Sequence, residues 1–202
     1  MLDKQRKNLM RKFALVFMAA LCACSPRGSA TLYPEAKSVG SVETVIIATS
    51  RQRVKGAPYF GDERSMTPHF ATVDISIPPQ RQLGSIKYVK KGAQPDPKTD
   101  FLVTAAADLN GRSEFIRQIN AVQAADPKRS TEGTLFVHGY NTNFAEGLYR
   151  AAQLQHDMER NGVSVFFSWP SQARALDYIA DQENALFSRD AMSATIDAMA
   201  KS

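Results

Sequence analysis

The chain has 202 residues, 44% hydrophobic and 22% charged, with a formal net charge of +5. This is the length and composition of one globular domain with extras, able to bury a sizeable core, and not that of a disordered chain. The charge does not mark a nucleic-acid surface: residues 1–23 hold five basic residues against Asp3, while the remainder holds 20 basic and 19 acidic residues and is nearly neutral.

The chain opens with "MLDKQRKNLMRK", a positive region, followed by "FALVFMAALCA", an apolar run too short to span a bilayer comfortably. Met10 is an alternative start, because "MRKFALVFMAALCAC" is a complete leader alone. The end "LCAC" resembles a bacterial lipobox, with Leu21, two small residues and then Cys24. That resemblance implies a signal peptide over 1–23, with Cys24 lipidated and the protein anchored through the lipid to a membrane of the cell envelope. The alternative is an ordinary signal peptide cleaved nearby, at Ala30, and a soluble periplasmic protein. Cys22 and Cys24 are the only cysteines. Cleavage before Cys24 leaves no internal disulfide, cysteine zinc site or catalytic thiol. No metal and no cofactor is expected.

Residues 24–41 are small, polar and Pro/Gly-containing, and read as a tether to a domain over 42–202. "ETVIIATS" is a β-branched strand. "RQRVKGAPYFGDERSMTPHF" lacks periodicity and reads as a long loop. "ATVDISIPP" alternates Val73, Ile75 and Ile77 inward; "GSIKYVKK" also alternates; "FLVTAA" is a further strand. The period then changes. Phe115, Ile119 and Val122 fall at helical spacing, with Asn110 or Ser113 as cap and Pro127 as stop. "GTLFVHG" is a short strand. The next helix has Asn141 or Asn143 as N-cap, Phe144, Leu148 and Ala152 on its apolar stripe with Met158 a further candidate, and Gly162 at its end. "VSVFFSWP" is continuously apolar, as a strand covered on both faces should be. Residues 172–201 read as helical, with Tyr178, Ile179, Ala185 and Leu186 on one side and Met192, Ile196 and Met199 on the later part. Strands first, then strand–helix alternation, predict an α/β fold in which antiparallel strands lead into a parallel sheet with helices on both faces.

In such sheets ligands sit beyond the carboxyl ends of the strands. Two ends stand out, "LFVHGYN" and "VFFSWPS". Gly139 marks a sharp turn or a close approach, and the following N–H groups face a helix start that favours negative charge. That pattern fits an oxyanion hole, with His138 orienting the loop. From the residues alone, a strand ending in a tight turn with a satisfied histidine fits somewhat better. Trp169 is either a pocket wall or core. Ser168 and Ser171 either bind substrate or satisfy backbone. Tyr178, Asp181 and Ser188 share a helix face, as a polar packing network or as substrate contacts.

"LFVHGYNTNFAEGLYRAAQL", "VSVFFSWPS" and "LDYIADQENALFSRDAM" together resemble a poorly characterised bacterial family of α/β hydrolases, esterase- or lipase-like. "VIIATSRQR" and "DISIPPQRQLGSI" resemble that family's N-terminal extension, so the likeness runs over about 42–200. The resemblance implies that 134–139 is the strand before the oxyanion loop and 144–160 the helix after it. It makes the Tyr140 backbone N–H an oxyanion donor, supported by His138, Gly139 and Asn141. The substrate implied is a small ester or related acyl compound. A strand ending in G-x-S-x-G should follow residue 200, and the sequence lacks one: "GRSEF" and "GVSVF" are not strand-to-helix elbows. In this fold the acid and the histidine follow the serine. His69, Asp126, His156, Asp157 and Asp181 are therefore not triad members, and the 202 residues are expected to be the oxyanion side of a serine hydrolase without its nucleophile. The alternatives are a non-catalytic envelope binding lipoprotein and a gene fragment with no function of its own.

Overall fold

The computed structural model of the protein describes residues 27–56, 59–125, 132–160 and 162–202. The leader, Cys24, Asp126 and Pro127 lie outside them. Five strands form one mixed sheet in the order β3-β2-β1-β5-β4, with β1 Ser41–Arg53, β2 Phe60–Ile77, β3 Leu102–Leu109, β4 Gly133–Val137 and β5 Val163–Ser168. β1–β2 and β2–β3 pair antiparallel, while β5 pairs parallel with both β1 and β4. Helix α1 spans Arg112–Ala124, α2 Phe144–Asp157, α3 Tyr178–Phe187 and α4 Arg189–Met199.

The helices lie on both faces, as expected. On one face Phe144, Leu148 and Ala152 of α2 pack on Val45, Ile47, Val73 and Phe166. On the other, Phe115 and Ile119 of α1 and Ala198 of α4 pack on Ile46, Ala48, Val165 and Phe167. β5 is buried along its whole length, as its continuous apolar run requires. Each large apolar side chain so buried contributes about 1.5–3 kcal/mol.

Several local expectations are corrected. The stretch after residue 50 is not a long loop: β1 and β2 continue as a hairpin that pairs Arg51 with Arg64 and Arg53 with Phe60. Its register shifts twice, which erases the period-two pattern. "GSIKYVKK" forms no strand. The outer edge of β3 is met instead by the N-terminal segment, where Val103 donates to Thr31 O and Tyr33 donates to Val103 O, 2.9 and 2.7 Å.

That segment, expected as a tether, is docked from Arg27 onward. Ala30 and Ala36 are buried, and Pro34–Ser38 forms a 3-10 turn. α1 is capped by Gly111 at φ 82° without a side-chain bond, not by Asn110 or Ser113. α2 has Asn143 as N-cap in a capping box with Glu146. α2 ends at Asp157, where Glu159 takes the left-handed conformation expected at Gly162. The last helical region is two helices, broken at Ser188. On α3 the apolar side faces outward: Tyr178, Ile179 and Leu186 are exposed, and Asp181 and Asn184 are buried.

α2 crosses the sheet closely at Gly147, where an added Cβ would lie 2.5 Å from Phe166 Cζ and 3.3 Å from His138 Cβ. Gly147→Ala should therefore destabilise the protein by about 1–3 kcal/mol through overpacking, despite alanine's better helix propensity. A lowered urea midpoint checks this.

Candidate functional site

The carboxyl ends of β1, β4 and β5 meet under the loop 138–143, the loop 169–177 and the β1–β2 hairpin. Arg51 lies at their centre, 1% exposed. It continues the side of β1 that carries Val45 and Ile47 into the α2-face core. Its Nε donates to Ser168 Oγ at 2.8 Å. Its Nη1 donates to Gly61 O at 2.8 Å and to Ser171 O at 3.3 Å, and its Nη2 to Thr142 O at 3.2 Å. One guanidinium thus joins the hairpin, the β5 end and the 138–143 loop. Burial lowers its pKa to about 10, opposed by Asp62 and Asp181, so it stays charged at neutral pH.

Asp181, 2% exposed, completes the frame from α3. It accepts from Ser171 Oγ at 2.6 Å, Gln172 N at 2.7 Å and Asn141 N at 3.3 Å. Asn184 Nδ2 donates to Pro170 O at 2.7 Å, and Ser50 Oγ meets Ser188 Oγ at 2.7 Å. Ser168, Ser171, Asp181 and Ser188 therefore form a buried polar network. Tyr178 does not join it; its ring stands edge-on to Tyr140 at 5.3 Å.

His138 is 4% exposed and stacks on Trp169 at 4.9 Å. Its Nε2 lies 3.0 Å from Trp169 O and its Nδ1 2.8 Å from Gly139 O, while Trp169 Nε1 donates to His138 O at 2.9 Å. The stack ties the end of β4 to the end of β5. Two carbonyls facing both ring nitrogens favour the imidazolium. Burial and the Arg51 cation outweigh them and hold the pKa at about 4. The ring is therefore neutral, with one N–H to share between two acceptors. Trp169 is 8% exposed and belongs to the core on the α1 face rather than to a pocket wall.

Gly139 is neither left-handed nor crowded: a Cβ there would meet nothing within 4 Å. The left-handed residue of the loop is Asn141, φ 55°. Its carbonyl accepts from Arg27 Nη2 at 3.1 Å, so the N-terminal segment lies across the loop. The Tyr140 hydroxyl donates to Ala175 O. The Tyr140 N–H donates to no described residue.

The other titratable groups set aside in the sequence lie elsewhere. Asp157 sits at the far end of α2, where the Arg81 guanidinium holds its carboxyl well below the usual range. His156 contacts Glu43 at 2.9 Å. His69 meets Ser65 Oγ at 3.0 Å, but that hydroxyl donates to Thr67 O at 2.8 Å, so it is not a nucleophile handing its proton to the ring.

Residues 113–202 match the family model of an alpha/beta hydrolase of unknown function (DUF900). The match begins in α1, so β1–β3 lie outside it. No curated protein and no solved structure matches the chain. The matched part carries His138, Tyr140, Trp169 and Asp181. Arg51 lies before it, in a stretch whose sequence reads as loop, and no alternation marks it because residues 45–51 are buried on both sides of β1.

Folding keeps the His138 imidazole neutral, with a pKa of about 4 against a usual 6.5. Below the higher value the unfolded chain binds a proton that the folded chain refuses. The stability present above it is lost as pH falls toward 4. Between pH 7 and pH 5 the loss should be about 2 kcal/mol, read by urea denaturation, and His138→Gln should flatten that dependence.

Proposed function

We propose that these 202 residues supply the oxyanion side of an acyl-transfer site in an α/β hydrolase of the cell envelope, acting on an ester or related acyl substrate. The observation that carries this reading is the Tyr140 N–H, which donates to no described residue at the carboxyl end of β4. Open space in place of a Gly139 side chain leaves room beside it for a carbonyl oxygen. An N–H held there by its neighbours needs no reorganisation as charge develops on that oxygen. His138 and Asp181 act as positioning residues. The imidazole–indole stack fixes the residue before Gly139, and the carboxylate holds the Asn141 N–H just after Tyr140. The hydrolase family match supports the class of chemistry.

A serine nucleophile, its acid and its histidine are assigned to sequence outside these residues. β4 is an edge strand, half-buried over Thr134–Phe136, with apolar hollows on both faces that include Leu135 and Val163. This is the edge on which a further strand, carrying the nucleophile at its end, would pair. The Cys24 anchor belongs to the same reading. Arg27, three residues after it, already bonds Asn141, so a lipid on Cys24 would tether the loop within about 10 Å of chain length of the membrane.

Two measurements test this. The 202-residue chain should hydrolyse no activated ester above background and take up no fluorophosphonate, and an in-frame extension that adds the strand and elbow together with the acid and the histidine should do both. Serine-inhibitor-sensitive turnover by the chain alone would sink the proposal. In cells, labelled palmitate should enter the protein, and Cys24→Ala should abolish the incorporation; labelling that survives the substitution excludes the anchor.

A further inference from the structure

A cavity of about 590 Å³ lies between the N-terminal segment, the β1–β2 hairpin, the start of α2 and the loop 171–173. Arg51, Asp62, Phe144, Ala145 and Gln172 are among its lining residues; Tyr140 is not. The cavity is therefore distinct from the carbonyl position proposed above, and its occupancy by a ligand does not depend on acyl transfer.

Three features of this cavity converge on one ligand chemistry. The first is Arg51. All four of its hydrogen bonds go to neutral oxygens, and no carboxylate of a described residue lies within 4.0 Å. A guanidinium has five N–H donors, so one donor remains free in a nearly fully buried group, and Asp62 and Asp181 meet its charge only at longer range. A cation so placed is costly unless an anion meets it. The second is the start of α2, a fourteen-residue helix. The N–H groups of Phe144 and Ala145 donate to no described residue, and both residues line the cavity. The positive end of the helix dipole and the arginine thus act on the same space. The third is the wall. Ala30, Phe60 and Phe144 are buried apolar residues, and the volume exceeds what a bare inorganic ion fills. Three carboxylates oppose an anion here. Glu146, in the first turn of α2, is taken up by Gly28 N, Asn143 N and the Arg27 guanidinium. Asp62 is exposed at the rim, and Asp181 is buried behind Ser171, with its oxygens occupied by Ser171, Gln172 and Asn141.

We propose that this cavity is a binding site for a small organic anion, seating a carboxylate or phosphate-monoester head between Arg51 and the first N–H groups of α2, with an apolar body against Phe60 and Phe144. The planar fork of arginine suits both head groups. Asp62 weakens the site from its rim, and Gln172, whose Nε2 donates to Asp62 O at 2.8 Å, closes part of the mouth.

The test uses the full 202-residue chain, with butyrate, butyl phosphate and inorganic phosphate as probes against chloride at equal ionic strength. Binding is read from the thermal midpoint and from the fluorescence of Trp169, the only tryptophan. Butyrate or butyl phosphate should raise the midpoint beyond chloride, and whichever binds more tightly identifies the head group. Inorganic phosphate should bind more weakly than butyl phosphate. Asp62→Asn, a change at an exposed residue, should tighten binding by about two- to fivefold. Arg51→Lys should weaken it by at least about tenfold. Stabilisation no greater than that by chloride overturns the proposal, as does an anion affinity that Asp62→Asn leaves unchanged. The Asp62 variant keeps the test decisive if Arg51→Lys fails to fold.

Discussion

One buried cation organises the carboxyl end of the sheet. Arg51 leaves β1 inside the protein and donates to the hairpin, to the end of β5 and to the loop after β4. Taking a guanidinium out of water costs several kcal/mol. Here four hydrogen bonds offset part of the cost, as do, at longer range, Asp62 and Asp181, the latter sharing Ser171 with it. Of the backbone oxygens that Arg51 holds, those of Thr142 and Ser171 belong to loops, and that of Gly61 lies at the start of β2, where the pairing with β1 shifts register. Without the arginine these acceptors would lose the donor that draws the three segments together. The conformation of the loop carrying Tyr140 and Asn141 is in this sense a consequence of a residue about ninety positions earlier in the chain.

The same polar centre explains the orientation of α3. An amphipathic helix usually buries its apolar side. α3 does the opposite, because what lies beneath it is not apolar. It meets Ser50, the Pro170 carbonyl and the Ser171 hydroxyl, which take Ser188, Asn184 and Asp181 as partners. Satisfying those buried groups outweighs covering Ile179 and Leu186. The N-terminal segment adds a second clamp. The capping-box carboxylate of Glu146 also accepts from Gly28 N at 3.0 Å, while Arg27 reaches Asn141. The segment, the start of α2 and the candidate oxyanion loop therefore share their hydrogen bonds. Displacing one disturbs the other two.

These constraints bear on function in one direction. A site that stabilises developing charge must hold its donors still. Here the residue before Gly139 is fixed by an imidazole–indole stack, and the residue after Tyr140 by a buried carboxylate. Arg51 serves two spaces: it braces the loop on one side and lines a cavity on the other.

The sequence by itself determined the elements and their class. Val73, Ile75 and Ile77 alternate, β5 is continuously apolar, and Phe144 and Leu148 fall one turn apart, so their burial follows from local period alone. Asn143 with Glu146 marks the start of α2 for the same reason, since a capping box is a contact between neighbours in sequence. The "HGYN" and "FSWPS" ends located the candidate site because motifs survive in one dimension. What only the tertiary structure decided are the features that depend on partners far along the chain. The β1–β2 hairpin replaced an expected loop, the alternating "GSIKYVKK" formed no strand while residues 31–33 met the edge of β3, and a supposed tether became a clamp. α3 turned its apolar side outward, and Arg51 emerged as the centre. The hairpin is a pairing of near neighbours whose two register shifts hide its period; the others depend on hydrogen bonds between distant segments, where burial leaves polar groups to be satisfied by whatever the fold brings near, and no local pattern records that.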